Sequence, residues 1–256
     1  MKKIIVFCLI GCMLFSLCAC GAKKGTFTEN LKGSIENSAT TSVESGHYHE
    51  DGIYHEGTDD ETSTEATDSS IVVEGANDVE YTTEVLDDLK DSYLAEITVE
   101  NYGVITLKLD STVAPITVSN FVRLANEGFY DGLTFHRIMK GFMMQGGCPD
   151  GSGFGDSGTN IKGEFANNGV ENNLSHTRGV VSMARATEMN SASSQFFIMH
   201  ADAAYLDGAY AAFGKVISGM DVVDSICIDA NPTDDNGTIP SEVQPVITSI
   251  VIKDVE

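Results

Sequence analysis

Apolar and polar residues alternate along the chain from about Tyr93 onward. In the stretch AEITVENYGVITLKL, Ile97 and Val99 fall on one face, and Ile105 and Leu107 repeat the pattern beyond an Asn-Tyr-Gly sequence. A period of two residues is that of a strand with one buried face. The pattern predicts a β-hairpin at the start of the folded region.

The apolar period lengthens in the next segment, APITVSNFVRLANEG, where Val118, Phe121, Val122 and Ala125 recur at helical spacing. A proline near its start and Gly128 at its end are typical of helix boundaries. A second short helix is predicted for MDVVDSI, and further strands for LTFHRIM, GVVSMA, SQFFIM, YAAFGKVI and VITSIVI. Short strands with two helices, and no regular strand-helix-strand alternation, favour an antiparallel barrel or a sandwich with helical caps.

The first twenty residues have a different pattern, in which two lysines precede an apolar run too short to span a bilayer. This pattern is typical of a secretion signal. The segment ends in Leu17-Cys18-Ala19-Cys20, which resembles the lipobox of bacterial lipoproteins. The resemblance implies that residues 1–20 are a lipoprotein signal peptide and that Cys20 receives a lipid and becomes the mature N-terminus. An ordinary cleaved signal and an uncleaved anchor are the alternatives.

Residues 21–92 are rich in Ser, Thr, Glu, Asp and Gly, and their few apolar residues follow no regular period. We predict a disordered acidic linker here, followed by a folded domain at 93–256. The near-repeat GHYHEDGIYHEG in the linker holds three of the six histidines, His47, His49 and His55. Imidazoles and carboxylates can bind a divalent ion, but nothing rigid preforms a site, so a solvated polar tract is the preferred interpretation.

The formal net charge of −23 is spread over both the linker and the domain. Residues 21–95 hold four basic and 18 acidic residues, a charge of −14, and residues 96–256 hold nine and 20, a charge of −11. Neither part offers a basic surface for nucleic acid. Of the six cysteines only Cys148 and Cys227 lie beyond the first twenty residues, and we expect two small apolar side chains there, rather than a disulfide or a metal site.

Two further patterns carry little chemistry. The glycine-rich GSGFGDSG is followed by neither an amphipathic helix nor a Gly-Lys-Ser/Thr sequence, so it is interpreted as a loop and not as a phosphate cradle. His136, His176 and His200 are scattered, without a nucleophile elbow or a paired histidine, and are predicted to be structural or surface residues.

Three blocks of sequence carry a resemblance to a known family: FHRIMKGFMMQGG, HTRGVVSMARATEMNSASSQFFIMH and LDGAYAAFGKV. Through them residues 93–256 are similar, across essentially the whole domain, to the cyclophilins, which are peptidyl-prolyl cis/trans isomerases. The resemblance implies a mainly β fold, an eight-stranded antiparallel β-barrel capped by two helices. It places the active groove on the outer surface of the barrel and implies no cofactor.

Carried over position by position, the resemblance makes Arg137 the catalytic group, with Gln145 on the same groove to orient it. The implied substrate-binding positions are Phe142, Met143, Phe197 and Leu206 in the proline pocket, Ala184 and Arg185 along the substrate backbone, and Gln195 beside them. Tyr205 stands where a tryptophan is common in the family, and Tyr210 where a histidine is common. These two departures are expected to weaken binding of the inhibitor cyclosporin and to leave activity intact.

The chemistry of the reaction agrees with an arginine in this role. An X-Pro bond interconverts over tens of seconds through a barrier near 20 kcal/mol, and rotation localises the lone pair of the prolyl nitrogen. A donor that hydrogen-bonds this nitrogen favours the twisted state over the planar ones, with no need for a nucleophile or a proton transfer. The resulting hypothesis is an isomerase that assists the folding of exported proteins at the outer face of the membrane.

The expected partners are proline-containing unfolded or exported polypeptides and, through the lipid anchor, the membrane. No nucleic acid is expected as a partner, and the protein is expected to be a monomer. Two alternatives stay open from the sequence, a module that binds proline segments without useful turnover and a lipoprotein that captures metal through its histidines.

Overall fold

The computed structural model describes residues 71–72 and 79–255. The predicted signal peptide, the lipidation site Cys20 and the histidines His47, His49 and His55 therefore lie outside the described residues. Within the described ranges, no helix combines the length and the apolar character needed to cross a membrane.

Ten strands and two α-helices make up the described part of the chain. The strands are β1 Ile71–Val72, β2 Tyr81–Thr82, β3 Ser92–Val99, β4 Gly103–Asp110, β5 Arg137–Met139, β6 Met143–Gly146, β7 Val180–Met183, β8 Phe196–Met199, β9 Ala212–Ser218 and β10 Ile247–Asp254. The helices are α1 Pro115–Asn126 and α2 Met220–Asp229, and three short 3₁₀ helices cover Ala166–Asn168, Ala204–Leu206 and Ser241–Val243. β1 pairs with β2, and the other eight strands form one antiparallel sheet in the order β10-β3-β4-β9-β7-β8-β6-β5.

The two edge strands of the large sheet, β5 and β10, are linked to each other through the residues at their starts. Thr134 bridges Val246, and the amide of Ile247 donates to the carbonyl of Leu133 at 2.7 Å. The amide of Phe135 donates to the carbonyl of Pro245 at 2.9 Å. These bonds close the sheet into the predicted barrel, which leaves little unpaired strand edge.

Helix α1 packs through Phe121, whose ring lies 5.2 to 5.4 Å from the rings of Tyr130, Phe196 and Phe213. The residue before the helix, Ala114, cannot cap it with a side chain. The carboxylate of Glu164 does so instead, and it accepts from the amides of Ile116 and Thr117 at 3.0 and 2.8 Å and from the hydroxyl of Thr117 at 2.7 Å. A negative group at a helix N-terminus satisfies free amides and complements the helix dipole.

The predicted elements of the folded domain are confirmed, but strands β1, β2 and β6 were not predicted. The hairpin pairs Ile97 with Ile105, both fully buried, and the two predicted helices are α1 and α2. Strand β6 was not predicted, because its four residues are buried mostly on both faces and so show no alternation. Cys148 and Cys227 are buried free thiols, as expected, and burial raises the pKa of Cys227 to about 12.

Residues before the predicted domain boundary at residue 93 also pack against the barrel. Residues 79–91, here called the strap, include Tyr81, which is 4% exposed, and Leu86 and Leu89, which pack against the core. Thr82 forms a parallel bridge with Ile161. The apolar side chains of the strap insert singly into the surface, and such irregular spacing gives no periodic signal in the sequence.

The strap is therefore expected to contribute to stability. Tyr81→Ala should lower the free energy of unfolding by about 2 to 4 kcal/mol, because it removes a buried aromatic ring. Val85→Ala, which changes a strap residue that is 49% exposed, should change it by less than about 0.5 kcal/mol. Urea denaturation of the two variants measures both values, and an equal, small effect would mean that the strap is not part of the cooperative unit.

Candidate active site

Strand alternation sorts the apolar side chains of the barrel into two clusters. On β6 and β8, Met144 and Ile198 belong to the interior core, whereas Met143 and Phe197 face the other side. We call the second group the outer cluster. Its buried members are Met143, Val180, Phe197, Met199, Ala203 and Ala212, and Met139, Phe142, Leu174, Ala184, Leu206 and Tyr210 pack against them. The four predicted pocket residues thus lie together outside the barrel.

Arg137 opens β5 and pairs in register with Gln145 on β6. Its Nη1 donates to Oε1 of Gln145 at 3.2 Å, and its Nε donates to the carbonyl oxygen of Asn236 at 2.7 Å. The sulfur of Met139 lies 3.3 Å from Nη2, and that of Met143 lies 3.9 Å from Nη1. The guanidinium is held from two sides at the border of the outer cluster.

The electrostatic setting of Arg137 follows from partial burial. Desolvation lowers the pKa of Arg137, and the nearby Tyr210, Asp234 and Tyr205 act in the opposite direction. Since an arginine ordinarily titrates above 12, the group stays charged at neutral pH. A fixed positive charge with reduced hydration is a strong hydrogen-bond donor.

Gln145 and Gln195 continue the network across the groove. Nε2 of Gln145 donates to Oε1 of Gln195 at 2.9 Å. Nε2 of Gln195 donates in turn to the carbonyls of Gly153 and Gly155 at 3.0 and 2.8 Å. The amide of Gln145 is oriented by this chain, so that its oxygen faces Arg137. The glycine-rich segment thus forms a loop that anchors the network.

Aromatic rings wall the outer cluster. Tyr210 meets Phe197 edge to face with 5.8 Å between the ring centroids, and Tyr205 stacks on Phe142 at 6.0 Å. Tyr205 is 74% exposed, which places it at the rim, whereas Phe197 is 5% exposed. Leu206 lies beside Tyr205 in the second 3₁₀ helix. Phe197 thus forms the floor, and the tyrosines border an apolar recess next to Arg137.

Arg185 is engaged within the protein. Its guanidinium lies between the rings of Phe165 and Tyr210, 5.1 and 4.9 Å from their centroids. Nε donates to the carbonyl of Ala209 at 2.9 Å, and Nη1 donates to the carbonyls of Ala186 and Thr187 at 2.9 and 3.1 Å. The side chain therefore packs on Tyr210 and is held by these backbone carbonyls. The amide of the preceding residue, Ala184, donates to the carbonyl of Gln195 at 2.9 Å.

His176 supports the floor of the recess. Its ring stacks on Phe197 at 6.0 Å, Nδ1 lies 2.8 Å from Oδ1 of Asp207, and Nε2 lies 3.0 Å from Oγ of Ser182. The side chain is 1% exposed, and burial lowers its pKa in spite of the carboxylate. His176 is structural, as predicted, but the sequence did not show that it orients a pocket residue.

Two contacts of Arg137 were missed in the sequence. Met139 stands two residues after Arg137, and strand alternation could have placed both on one face. The carbonyl of Asn236 is a backbone group on a distant loop, for which the sequence carries no signal. Within residues 71–72 and 79–255, no group of three or more His, Cys, Asp or Glu side chains is arranged to hold a metal ion.

The geometry defines a class of protein: a β-barrel with an apolar cluster on its outer face, bordered by an anchored arginine. The arrangement can donate hydrogen bonds to an amide and clamp a small apolar ring. Residues 94–255 match the family model described as cyclophilin type peptidyl-prolyl cis-trans isomerase. The chain therefore belongs to the cyclophilin-type peptidyl-prolyl cis-trans isomerases.

Individual relatives agree with this assignment. Peptidyl-prolyl cis-trans isomerase B of Bacillus subtilis is 43% identical over 145 residues, which cover 57% of this chain and 92% of the relative. A peptidyl-prolyl cis-trans isomerase of Helicobacter pylori is 48% identical over 128 residues, 49% of this chain and 76% of the relative. Among solved structures, a Cryptosporidium parvum cyclophilin type isomerase in the presence of the dipeptide Ala-Pro matches with a TM-score of 0.56 and 30% identity. The match covers 63% of this chain and 99% of that one.

His136, next to the catalytic candidate in sequence, generates a prediction on pH. The residue is 5% exposed, and its Nδ1 has no hydrogen-bond partner within the described part of the chain. Burial, followed by the charge of Arg137, lowers its pKa to about 4. Above pH 6.5 the residue is neutral in the folded and unfolded chain. As the pH falls from 6.5 toward 4, the unfolded chain gains a proton that the folded one excludes, so the free energy of unfolding falls.

His136→Gln should remove this contribution, which amounts to at most about 1.4 kcal/mol per pH unit. Urea denaturation at several pH values between 4 and 8 measures the slope for each protein. A residual slope is expected from His176, whose pKa is lowered in the same sense. Identical slopes in wild type and variant would show that His136 is protonated in the folded protein.

Proposed function

We propose that this cyclophilin-type isomerase acts on proline-containing segments of exported proteins while Cys20 anchors it by lipid at the outer face of the membrane. Peptidyl-prolyl isomerisation is the activity of the family. The observation that carries the mechanism is the position of Arg137, half-buried, hydrogen-bonded from two sides and adjacent to the apolar recess. Localisation is proposed from the sequence of residues 1–20.

Arg137 has donors left for a substrate. A guanidinium carries five N–H groups. The Nε hydrogen goes to Asn236 and one Nη1 hydrogen to Gln145, whereas Nη2 meets, among the residues that the structure describes, the sulfur of Met139. We assign the remaining Nη hydrogens to the substrate, where one bonds the prolyl nitrogen as its lone pair localises during rotation. The planar amide offers no such lone pair, so the interaction favours the twisted state.

The outer cluster is the proposed binding site for the proline ring of the substrate. A proline ring held against Phe197 and Met143, with Phe142 and Leu206 at the sides, leaves the preceding residue free to rotate. The backbone near Ala184 and the side chain of Gln195 are the proposed contacts for the peptide chain. Acceleration from tens of seconds to milliseconds takes about four decades, or roughly 5.5 kcal/mol, within reach of one desolvated charge-assisted hydrogen bond and an apolar clamp.

The domain is acidic, which agrees with polypeptide substrates and not with nucleic acid. We propose that it acts as a monomer on chains as they leave the export machinery.

Substitution of Arg137 tests whether the protein is an enzyme or a module that only binds proline segments. Arg137→Ala should lower kcat and kcat/KM by about two to three decades, since it removes one preorganised donor, while affinity for the peptide changes little. Arg137→Lys keeps the charge without the planar fork and should restore only part of the rate. Exchange NMR on one X-Pro peptide measures the rate and the affinity together.

The matched control for this experiment is Arg123→Ala. Arg123 lies on α1 and pairs with Glu127 at the surface, so its removal should leave catalysis unchanged. Circular dichroism must show that all variants are folded. Wild-type turnover by Arg137→Ala at saturating peptide would make the arginine a recognition residue and refute the mechanism.

The anchor is tested separately from the activity. Cys20→Ser should release the protein from membranes or prevent its maturation, because the acyl chains attach to that sulfur. Cys18→Ser is the control, since it alters a neighbouring cysteine and should leave the protein in the membrane fraction. Retention of the Cys20→Ser protein after alkaline washing would favour an uncleaved anchor.

A further inference from the structure

The turn between β5 and β6 carries two of the groove's side chains. Met139 begins it and contacts Arg137, and Phe142 ends it at the apolar recess. The amide of Phe142 donates to the carbonyl of Met139 at 2.9 Å. Gly141 has φ +84°, a left-handed conformation that suits glycine. The position of this turn therefore sets both a contact of the guanidinium and one wall of the recess.

His200, which follows β8, holds the turn from outside. The amides of His200 and Ala201 both donate to the carbonyl of Phe142, at 2.8 and 3.2 Å. The amide of Gly141 donates to Nδ1 of the His200 ring at 2.9 Å. A ring nitrogen that accepts a hydrogen bond carries no proton, so the proton of the neutral ring is on Nε2.

A carboxylate on α2 fixes that tautomer. Nε2 of His200 lies 3.2 Å from Oδ1 of Asp224, and the ring is 15% exposed. Arg178 binds both oxygens of Asp224 through Nη2, each at 2.7 Å, and donates from Nη1 to the carbonyl of His200 at 2.7 Å. The ring and backbone of His200 are thus locked to α2 and to the segment before β7.

We propose that His200 is a positioning residue for the isomerase reaction. Its neutral Nε2–H tautomer ties the turn at Gly141 in place and so aligns Phe142 and Met139 with Arg137. This inference rests on the proposed function and assigns a further residue to it. Protonation of Nδ1 would set an N–H group against the amide of Gly141 and release that bond, so full activity requires neutral His200.

Charged groups lie around the ring. Asp224 on α2 lies 3.2 Å from Nε2 and is bound to Arg178 at 2.7 Å. Asp202, two residues after His200, accepts from the amide of Arg178 at 2.7 Å. Lys140 belongs to the turn itself.

Two substitutions at His200 distinguish the role of Nδ1 from the role of Nε2. The Oδ1 of His200→Asn lies near the position of Nδ1 and can accept from Gly141, and Asp224 remains paired with Arg178. His200→Gln places its amide near Nε2 and has no acceptor at the Nδ1 position. We expect His200→Gln to lower kcat/KM about tenfold. His200→Asn should stay within about twofold of wild type at pH 7.5.

The pH profile of kcat/KM, followed by exchange NMR between pH 5 and 8, gives a second readout. Any acid-side loss of kcat/KM in wild type should coincide with the change in the ring nitrogen signals of His200 and the amide signal of Gly141. His200→Asn should lack this acid limb, since an amide does not titrate. A purely structural role would not move the profile.

These experiments distinguish failure of the positioning role of His200 from failure of the proposed function. An inactive wild type would overturn the function itself. An active wild type with His200→Gln at the same kcat/KM, or His200→Asn as impaired as His200→Gln, would overturn the positioning role. Should His200→Gln not fold, the wild-type profile decides, because an acid limb that does not follow the His200 and Gly141 signals refutes the inference.

Discussion

The cost of holding a charged guanidinium beside an apolar surface determines how the groove is built. Arg137 loses part of its hydration next to the outer cluster, and this loss is balanced by two directed hydrogen bonds, to Gln145 and to the carbonyl of Asn236. A group held in this way cannot swing toward solvent without giving up both partners. The donors that remain are consequently presented at a fixed place and angle, as a transition-state contact requires.

The barrel is the platform for this arrangement, because strand pairing fixes which side chains share a face. β5, β6 and β8 are neighbours, so that Arg137, Gln145 and Phe197 fall in one row across the sheet. The interior cluster keeps those strands rigid, and its packing leaves the outer face free to carry a recess. Closure between the residues before β5 and the start of β10 protects the strand that bears the arginine.

Buried polar groups tie separate elements into one frame around the groove. Glu164 caps α1 from a distant loop, His176 joins Asp207 to Ser182 beneath Phe197, and Arg185 links Tyr210 to the opposite segment. Glu164 and His176 are buried and hydrogen-bonded, and the half-buried Arg185 donates from Nε and Nη1 to backbone carbonyls. Such networks specify one arrangement of loops, because any other leaves a buried group unsatisfied.

Most of the secondary structure could be predicted from the sequence. Alternation identified the hairpin of β3 and β4, and helical spacing identified α1, because these signals depend only on neighbours along the chain. Three sequence blocks carried the resemblance to the family and to its arginine. Strand β6 escaped this approach, since a strand buried on both faces has no alternation. The strap was likewise placed in the linker, because Tyr81, Leu86 and Leu89 bury themselves one at a time.

The sequence by itself thus determined most of the elements and the family, and it named the residues that the structure brings together beside Arg137. The tertiary structure alone decided the partners of those residues. The Asn236 carbonyl reaches Arg137 from 99 positions away, and His200 reaches Gly141 from 59. Contacts of this kind arise from the closure of the barrel and the docking of loops upon it, and a backbone carbonyl looks the same in every residue. No pattern of side chains along the chain encodes them, so only the folded molecule shows how the groove is held.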